Sequence, residues 1–229
     1  LSYFYLFSVQ RLGLTLKVLQ FCDEMIANKL GDKVNMWCFG RTDTVEKELV
    51  KKMKQAGINW IFMGIESGDD DVLATVAKKQ TLDKIRKAND ILRDTGIYVG
   101  ENYVFGLGND TIETMQKTSD LAMELNTEYA NFFLAMAYPG TSLYEDALKK
   151  GYELPKEWGQ YGFFAPDALP LRNDNITATE ILDFRDNAFE RYFSSDHYQN
   201  LVTDKFGSHI TDFINNEILS KNIKRNHRV

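Results

Sequence analysis

Residues 59–79 read NWIFMGIESGDDDVLATVAKK, and the reading of this stretch decides the fold. Trp60, Ile61, Phe62, Met63 and Ile65 make a short apolar run rich in aromatic and β-branched residues, the pattern of a strand buried on both faces of a parallel sheet. Glu66 follows at its carboxyl end, then Ser67, Gly68 and three aspartates, and then a helical pattern with Val72, Leu73 and Val76 on one face. A carboxylate where a buried strand gives way to a loop occupies the end at which α/β proteins bind ligands. The plainer alternative is a solvated loop acid, or one favoured by the dipole of the next helix.

The same grammar repeats on either side. Residues 1–7 (LSYFYLF) read as a strand, and 12–26 as a helix stopped by Gly31. VNMWCF from Val34 is a second buried strand, with Arg41 and Asp43 after it and a helix through Val45, Leu49 and Met53 that ends at Gly57. Beyond the central stretch, Gln80 and Thr81 divide the helical region, with Thr81 capping a helix closed by Gly96. Residues 98–105 are the next strand, GLG its turn, and Asn109 or Asp110 the cap of a helix through Leu121. The fifth strand is 129–136, followed by AYPGT and a helix from Thr141 to the stop at Gly151. Five strand–loop–helix units imply right-handed crossovers and a parallel sheet.

After Gly151 the texture changes. Residues 152–175 hold three of the four prolines and lack a period, so they read as an extended connection over the core. Helices follow at 177–193 and 201–222, with a break at 194–198; one buried stripe on each is what packing against a core or partner requires.

The apolar fraction is 44% and the charged fraction 26%, which are those of an ordinary globular protein. A net charge of −6 excludes a nucleic-acid footprint over the whole chain. The basic run KNIKRNHR near the end reads as a solvated terminus. Cys22 and Cys38 have no metal-ligand spacing and read as buried thiols of a reducing compartment. No apolar run approaches the ~20 residues of a membrane span, and no cleavable signal pattern opens the chain, so the expectation is a cytoplasmic protein. The apolar run that starts at Leu1 reads as a chain entered in the middle of a fold.

Four pieces carry a resemblance. GIESGDDDVLATVAKKQT, MWCFGRTD, ENYVFGLGNDTIETMQKT and AYPGTSLYEDA resemble, in order and at strand–helix spacing, segments of radical S-adenosylmethionine (radical SAM) enzymes, above all the cobalamin-binding and MiaB/Elp3-like members. The resemblance covers about residues 1–150 and implies an α/β fold, a partial (β/α)6 TIM-like barrel in which this chain supplies strands two to six. Residues 151–229 would then be the extended connection plus a C-terminal helical extension. It implies S-adenosylmethionine and a 4Fe–4S cluster as cofactors, cobalamin as a further candidate, and an upstream cobalamin-binding domain as a candidate partner.

The same likeness implies site residues. S-adenosylmethionine offers hydroxyls, an ammonium and a carboxylate, and a pocket must answer each with acceptors or donors. Glu66 matches the position that accepts from the ribose or ammonium, Lys78 the basic position that meets the carboxylate, and Asn102 a ribose contact; Arg41 is a further candidate for cofactor or substrate. Each has a plain alternative, Lys78 as part of an exposed helix end and Asn102 as a polar strand residue.

Three departures stand out. The family's C-x3-C-x2-C loop, whose thiolates hold the cluster irons, is absent, and the expectation is that it lies upstream of residue 1 and that this chain holds no cluster. LSYFYLFSVQR lacks the acids usual after the second strand, and Gly108 stands where proline is usual. The sequence thus predicts a piece of a radical SAM enzyme, inactive by itself, acting on a substrate it does not reveal. The alternatives are a non-catalytic binding or scaffolding module that has lost the cluster loop, and an unrelated barrel enzyme with Glu66 and Arg41 as acid/base and clamp. The last lacks a histidine partner in the barrel region, because His197, His209 and His227 all follow it.

Overall fold

The computed structural model describes residues 5–6, 12–76, 80–221 and 223–228. Strands and helices alternate through the first two thirds: β1 (Tyr5–Leu6), α1 (Leu12–Ala27), β2 (Met36–Gly40), α2 (Lys47–Gln55), β3 (Ile58–Glu66), α3 (Asp70–Thr75), α4 (Leu82–Thr95), β4 (Tyr98–Phe105), α5 (Ile112–Leu125), β5 (Tyr129–Leu134) and α6 (Ser142–Lys150). The strands form one sheet in the order β1-β2-β3-β4-β5. β1 runs parallel to β2, and β2 to β3 with Cys38 opposite Ile61 and Gly40 opposite Met63. Sequential strands joined by helices give the topology of a partial TIM-like barrel, as expected.

The chain divides into two compact units. One holds Leu1–Ile65, Lys79–Asn102 and Thr127–Asn131; the other holds Glu66–Lys78, Tyr103–Asn126 and Phe132–Val229. In the first, Cys38, Ile61, Met63, Val99 and Ala130 alternate along their strands into a core completed by Leu49, Val50 and Met53 of α2 and Ile85, Ala88 and Leu92 of α4. In the second, Phe105 and Phe132 stack at 5.9 Å, and Tyr192 meets Phe132 at 5.7 Å. Tyr192 lies on α7 (Ala178–Ser194), which is followed by α8 (Asp196–Phe206), α9 (Ser208–Phe213) and a π-helical turn at Ile214–Leu219. No helix among the described residues is long and apolar enough to cross a membrane.

Local signals explain many boundaries. Thr81, Thr141 and Thr177 accept from backbone N–H groups of α4, α6 and α7, and Gly96 and Gly151 end α4 and α6 in the left-handed region.

Several expectations are corrected. β3 is not buried on both faces. Trp60, Phe62, Gly64 and Glu66 are half-exposed and alternate with buried Ile61, Met63 and Ile65, because helices cover one face of the strand. The helix at 12–26 is stopped by Lys29 in the left-handed region, not by Gly31, which opens a 3-10 turn. The cap of α5 is Thr111, whose side chain and that of Thr114 each accept from the other's backbone N–H; Asn109 and Asp110 lie in the turn before it. The helix expected at 201–222 is interrupted at Gly207, whose φ of 91° no helix contains. The terminal basic run is not wholly solvated: Arg225 is buried and forks onto Asp186, Nε to Oδ2 at 2.9 Å and Nη2 to Oδ1 at 2.8 Å.

Candidate functional site

The half-exposed face of each strand can be followed from its amino end to its tip. Near the amino ends it is aromatic: Trp37 meets Phe62 edge-on at 5.3 Å, Trp60 meets Tyr98 at 5.1 Å, and Phe62 meets Tyr129 at 6.2 Å. Farther along, the same alternation brings Arg41 just after β2 and Glu66 at the end of β3, while Asn102 on β4 and Asn131 on β5 lie mid-strand with Val104 and Phe133 beyond them. In a parallel sheet the carboxyl ends of the strands are the ligand-binding end of α/β folds.

Glu66 is half-buried and takes φ 71°, a left-handed conformation that β-strand residues with side chains avoid. The carbonyls just before it, those of Gly64 and Ile65, accept from the Gln80 amide at 3.1 and 2.7 Å. Beyond Glu66 the loop is nailed down. The Ser67 hydroxyl lies 3.2 Å from that of Thr118 on α5, the Gly68 N–H donates to the Thr118 hydroxyl at 2.8 Å, and Asp69 caps α3. A Cβ on Gly68 would fall 2.4 Å from the Lys117 carbonyl oxygen, so only glycine lets the loop lie this close to α5. Lys117 donates to Asp69 at 2.9 Å and holds its carboxyl below the usual aspartate range.

Arg41 forks onto Asp43 with Nε and Nη2 each at 2.9 Å, the geometry of a bidentate pair, which lowers the Asp43 pKa and raises that of Arg41. Asn102 accepts from the Asn131 amide at 2.9 Å. Lys78 lies outside the described residues.

The GLG turn after β4 is held from below. The buried Asp110 carboxylate accepts from the Gly106 and Leu107 N–H groups at 3.0 Å each and from the Thr114 hydroxyl at 2.6 Å, and Asn173 donates to its carbonyl at 3.0 Å. Beside this turn lies a cavity of about 360 Å3, with Leu107, Ala135 and Leu171 among its apolar walls and Lys150, Tyr152 and Arg172 among its polar ones. Lys150 and Tyr152 both donate to Asp174. Sequence reasoning missed Asn131, Gln80 and Asp110 as site residues. Alternation along YANFFL pointed to the first; the other two act through the folded loops and left no local signal.

Sequential strands joined by helices in this order define a partial TIM-like barrel scaffold. The Radical SAM superfamily profile matches residues 13–122. The anaerobic magnesium-protoporphyrin IX monomethyl ester cyclase of Cereibacter sphaeroides is 30% identical over 179 residues, 77% of this chain and 28% of that protein. Among solved structures, the radical S-adenosylmethionine methyltransferase TsrM from Kitasatospora setae, with cobalamin and a 4Fe–4S cluster bound, has a TM-score of 0.52 at 16% identity over 63% of this chain and 29% of its own. The Methanocaldococcus infernus Elp3 lacking residues 1–46 has a TM-score of 0.52 at 17% identity over 82% of this chain and 53% of its own. The chain belongs to the radical SAM superfamily, and it spans under a third of the length of the curated relatives it matches at 28–30% identity over 77% of its own.

Members of this family use S-adenosylmethionine and a 4Fe–4S cluster. The residues of this chain do not fit the cluster. It has two cysteines, both buried, and burial pushes the Cys22 thiol up to about 11 and the Cys38 thiol up to about 12, away from the thiolate that binds iron. Among the described residues no three His, Cys, Asp or Glu side chains gather as metal ligands.

Proposed function

We propose that this chain forms the S-adenosylmethionine-holding part of a radical SAM enzyme whose cluster ligands lie outside these 229 residues. The observation that carries the reading is Glu66, a strand-tip carboxylate set in a left-handed turn by a clamped loop. A carboxylate held there accepts from the ribose hydroxyls or the ammonium, as the resemblance implies. Asn102, paired to Asn131, offers a second polar contact for the ribose, and Lys78 a cation for the cofactor's carboxylate. Arg41, engaged by Asp43, is a further candidate contact for cofactor or substrate. The cofactors supply reductive radical chemistry when bound; these residues hold, orient and exclude water.

In this reading residues 1–150 are the barrel part and 151–229 the extended connection with the C-terminal helices. The relatives named above support methyl transfer or ring closure as outcome classes, and the TsrM likeness supports a cobalamin-binding domain as partner.

The test is equilibrium binding of S-adenosylmethionine to the full-length protein with its cluster reconstituted. Replacing Glu66 by alanine should weaken binding at least about tenfold, the loss of one hydrogen bond to a charged group; unchanged affinity sinks the reading. The Cys22→Ala, Cys38→Ala double variant should keep its full iron and sulfide content, and loss of iron would overturn the external placement of the cluster ligands.

A further inference from the structure

We infer that Gln80 is a positioning residue that sets the direction of Glu66, an inference that rests on the reading of Glu66 as a cofactor contact. Gln80 lies just before the Thr81 cap of α4 and is 8% exposed, so its amide must find partners inside the protein. It finds three: Nε2 donates to the Gly64 carbonyl at 3.1 Å and to the Ile65 carbonyl at 2.7 Å, and Oε1 accepts from the Thr42 hydroxyl at 3.0 Å. Thr42 is itself buried, in the turn that follows β2.

The pattern of these bonds is informative. In a regular strand successive carbonyls point to opposite sides, so one N–H2 group reaches two neighbours only if the chain has turned out of its pleat. The last residues of β2 and β3 in register are Gly40 and Met63. Beyond them Gln80 supplies donors to β3, and the next residue whose side chain matters, Glu66, stands at φ 71°. A left-handed residue with a side chain persists only where its surroundings over-determine it. The Thr42–Gln80 pair supplies that constraint on the strand side. Gln80 touches no cofactor in this scheme; it acts by fixing the backbone from which the Glu66 carboxylate projects.

A double-mutant cycle on the affinity of the full-length, cluster-reconstituted protein for S-adenosylmethionine tests this, each variant being measured well below its own thermal midpoint. Gln80→Met keeps the length and removes the amide, and it should weaken binding about tenfold, on the scale of one hydrogen bond to a charged group. In the Glu66→Ala background the same substitution should change affinity less than about twofold, since contacting residues couple and independent ones add. Thr42→Val keeps the amide but frees its oxygen; it should give a smaller loss, and it carries the test if Gln80→Met does not fold. A lower midpoint with unchanged affinity would make Gln80 a purely structural residue and overturn the inference, as would equal losses with and without Glu66. If Glu66→Ala alone leaves affinity intact, the cofactor reading itself fails, and that result is distinct from either outcome at Gln80.

Discussion

Asp110 has almost no exposed surface, yet it gathers two backbone N–H groups and the Thr114 hydroxyl. Burial raises its pKa above the usual aspartate value of 3.8, outweighing those donors, which favour the charged form. A raised folded-state value means the native protein binds the proton more tightly than the unfolded chain. The stabilisation is therefore complete below the unfolded value and is lost as pH rises through the folded one. Asp110→Asn should abolish that loss in urea unfolding followed from acid to neutral pH, and an unchanged slope would contradict it. Asp110→Ala should cost about 1–3 kcal/mol for each orphaned backbone donor. The sequence offers Asn109 or Asp110 as the cap; the folded GLG turn, which needs an acceptor beneath it, engages Asp110 and leaves the cap to Thr111. Thr81 and Thr141 were legible because a cap is fixed by its own few neighbours.

The strand and helix order could be read from periodicity, which depends on residues a few positions apart. Which strand face would be covered could not. In β3 the aromatic residues at even positions match the apolar content of the odd ones, so a half-exposed face looked like a buried one. The explanation lies in cross-strand packing. A Cβ on Gly100 of β4 would fall 2.4 Å from the Phe62 ring, so the ring lies flat across the space a side chain would take. Gly100→Val should force Phe62 off its position and cost about 1–3 kcal/mol, the usual range for overpacking. Phe62→Ala in the same protein should recover part of that loss, because the two substitutions compete for one space. Thermal unfolding of the two single variants and the double variant checks this; simple additivity would show that the ring and the glycine do not share that space.

In the unit that holds α7, residues distant in sequence meet at one buried ion cluster. The Arg225 side chain has no exposed surface, and its guanidinium reaches both oxygens of Asp186, the Ala165 carbonyl and the Phe163 carbonyl. Asp186 also pairs with Arg185 at 3.1 Å, whose Nε donates to the Phe132 carbonyl at 2.8 Å. One guanidinium thus ties the end of the chain to α7 and to the irregular connection before it. The basic run at 221–228 cannot disclose this, since its charge pattern is the same whether it is solvated or paired to an aspartate far back along the chain. Removing Arg225 leaves Asp186 with Arg185 as its remaining partner and strips the Ala165 and Phe163 carbonyls of their donor, so Arg225→Ala should cost about 1–3 kcal/mol for each group left unsatisfied. Lys224→Ala, one residue away and exposed, should change stability by under about 0.5 kcal/mol. Denaturant midpoints at constant slope separate the two. If both substitutions proved equally mild, Arg225 would have to be solvent-paired in solution, and the connection at 163–166 would need another anchor to hold it against α7.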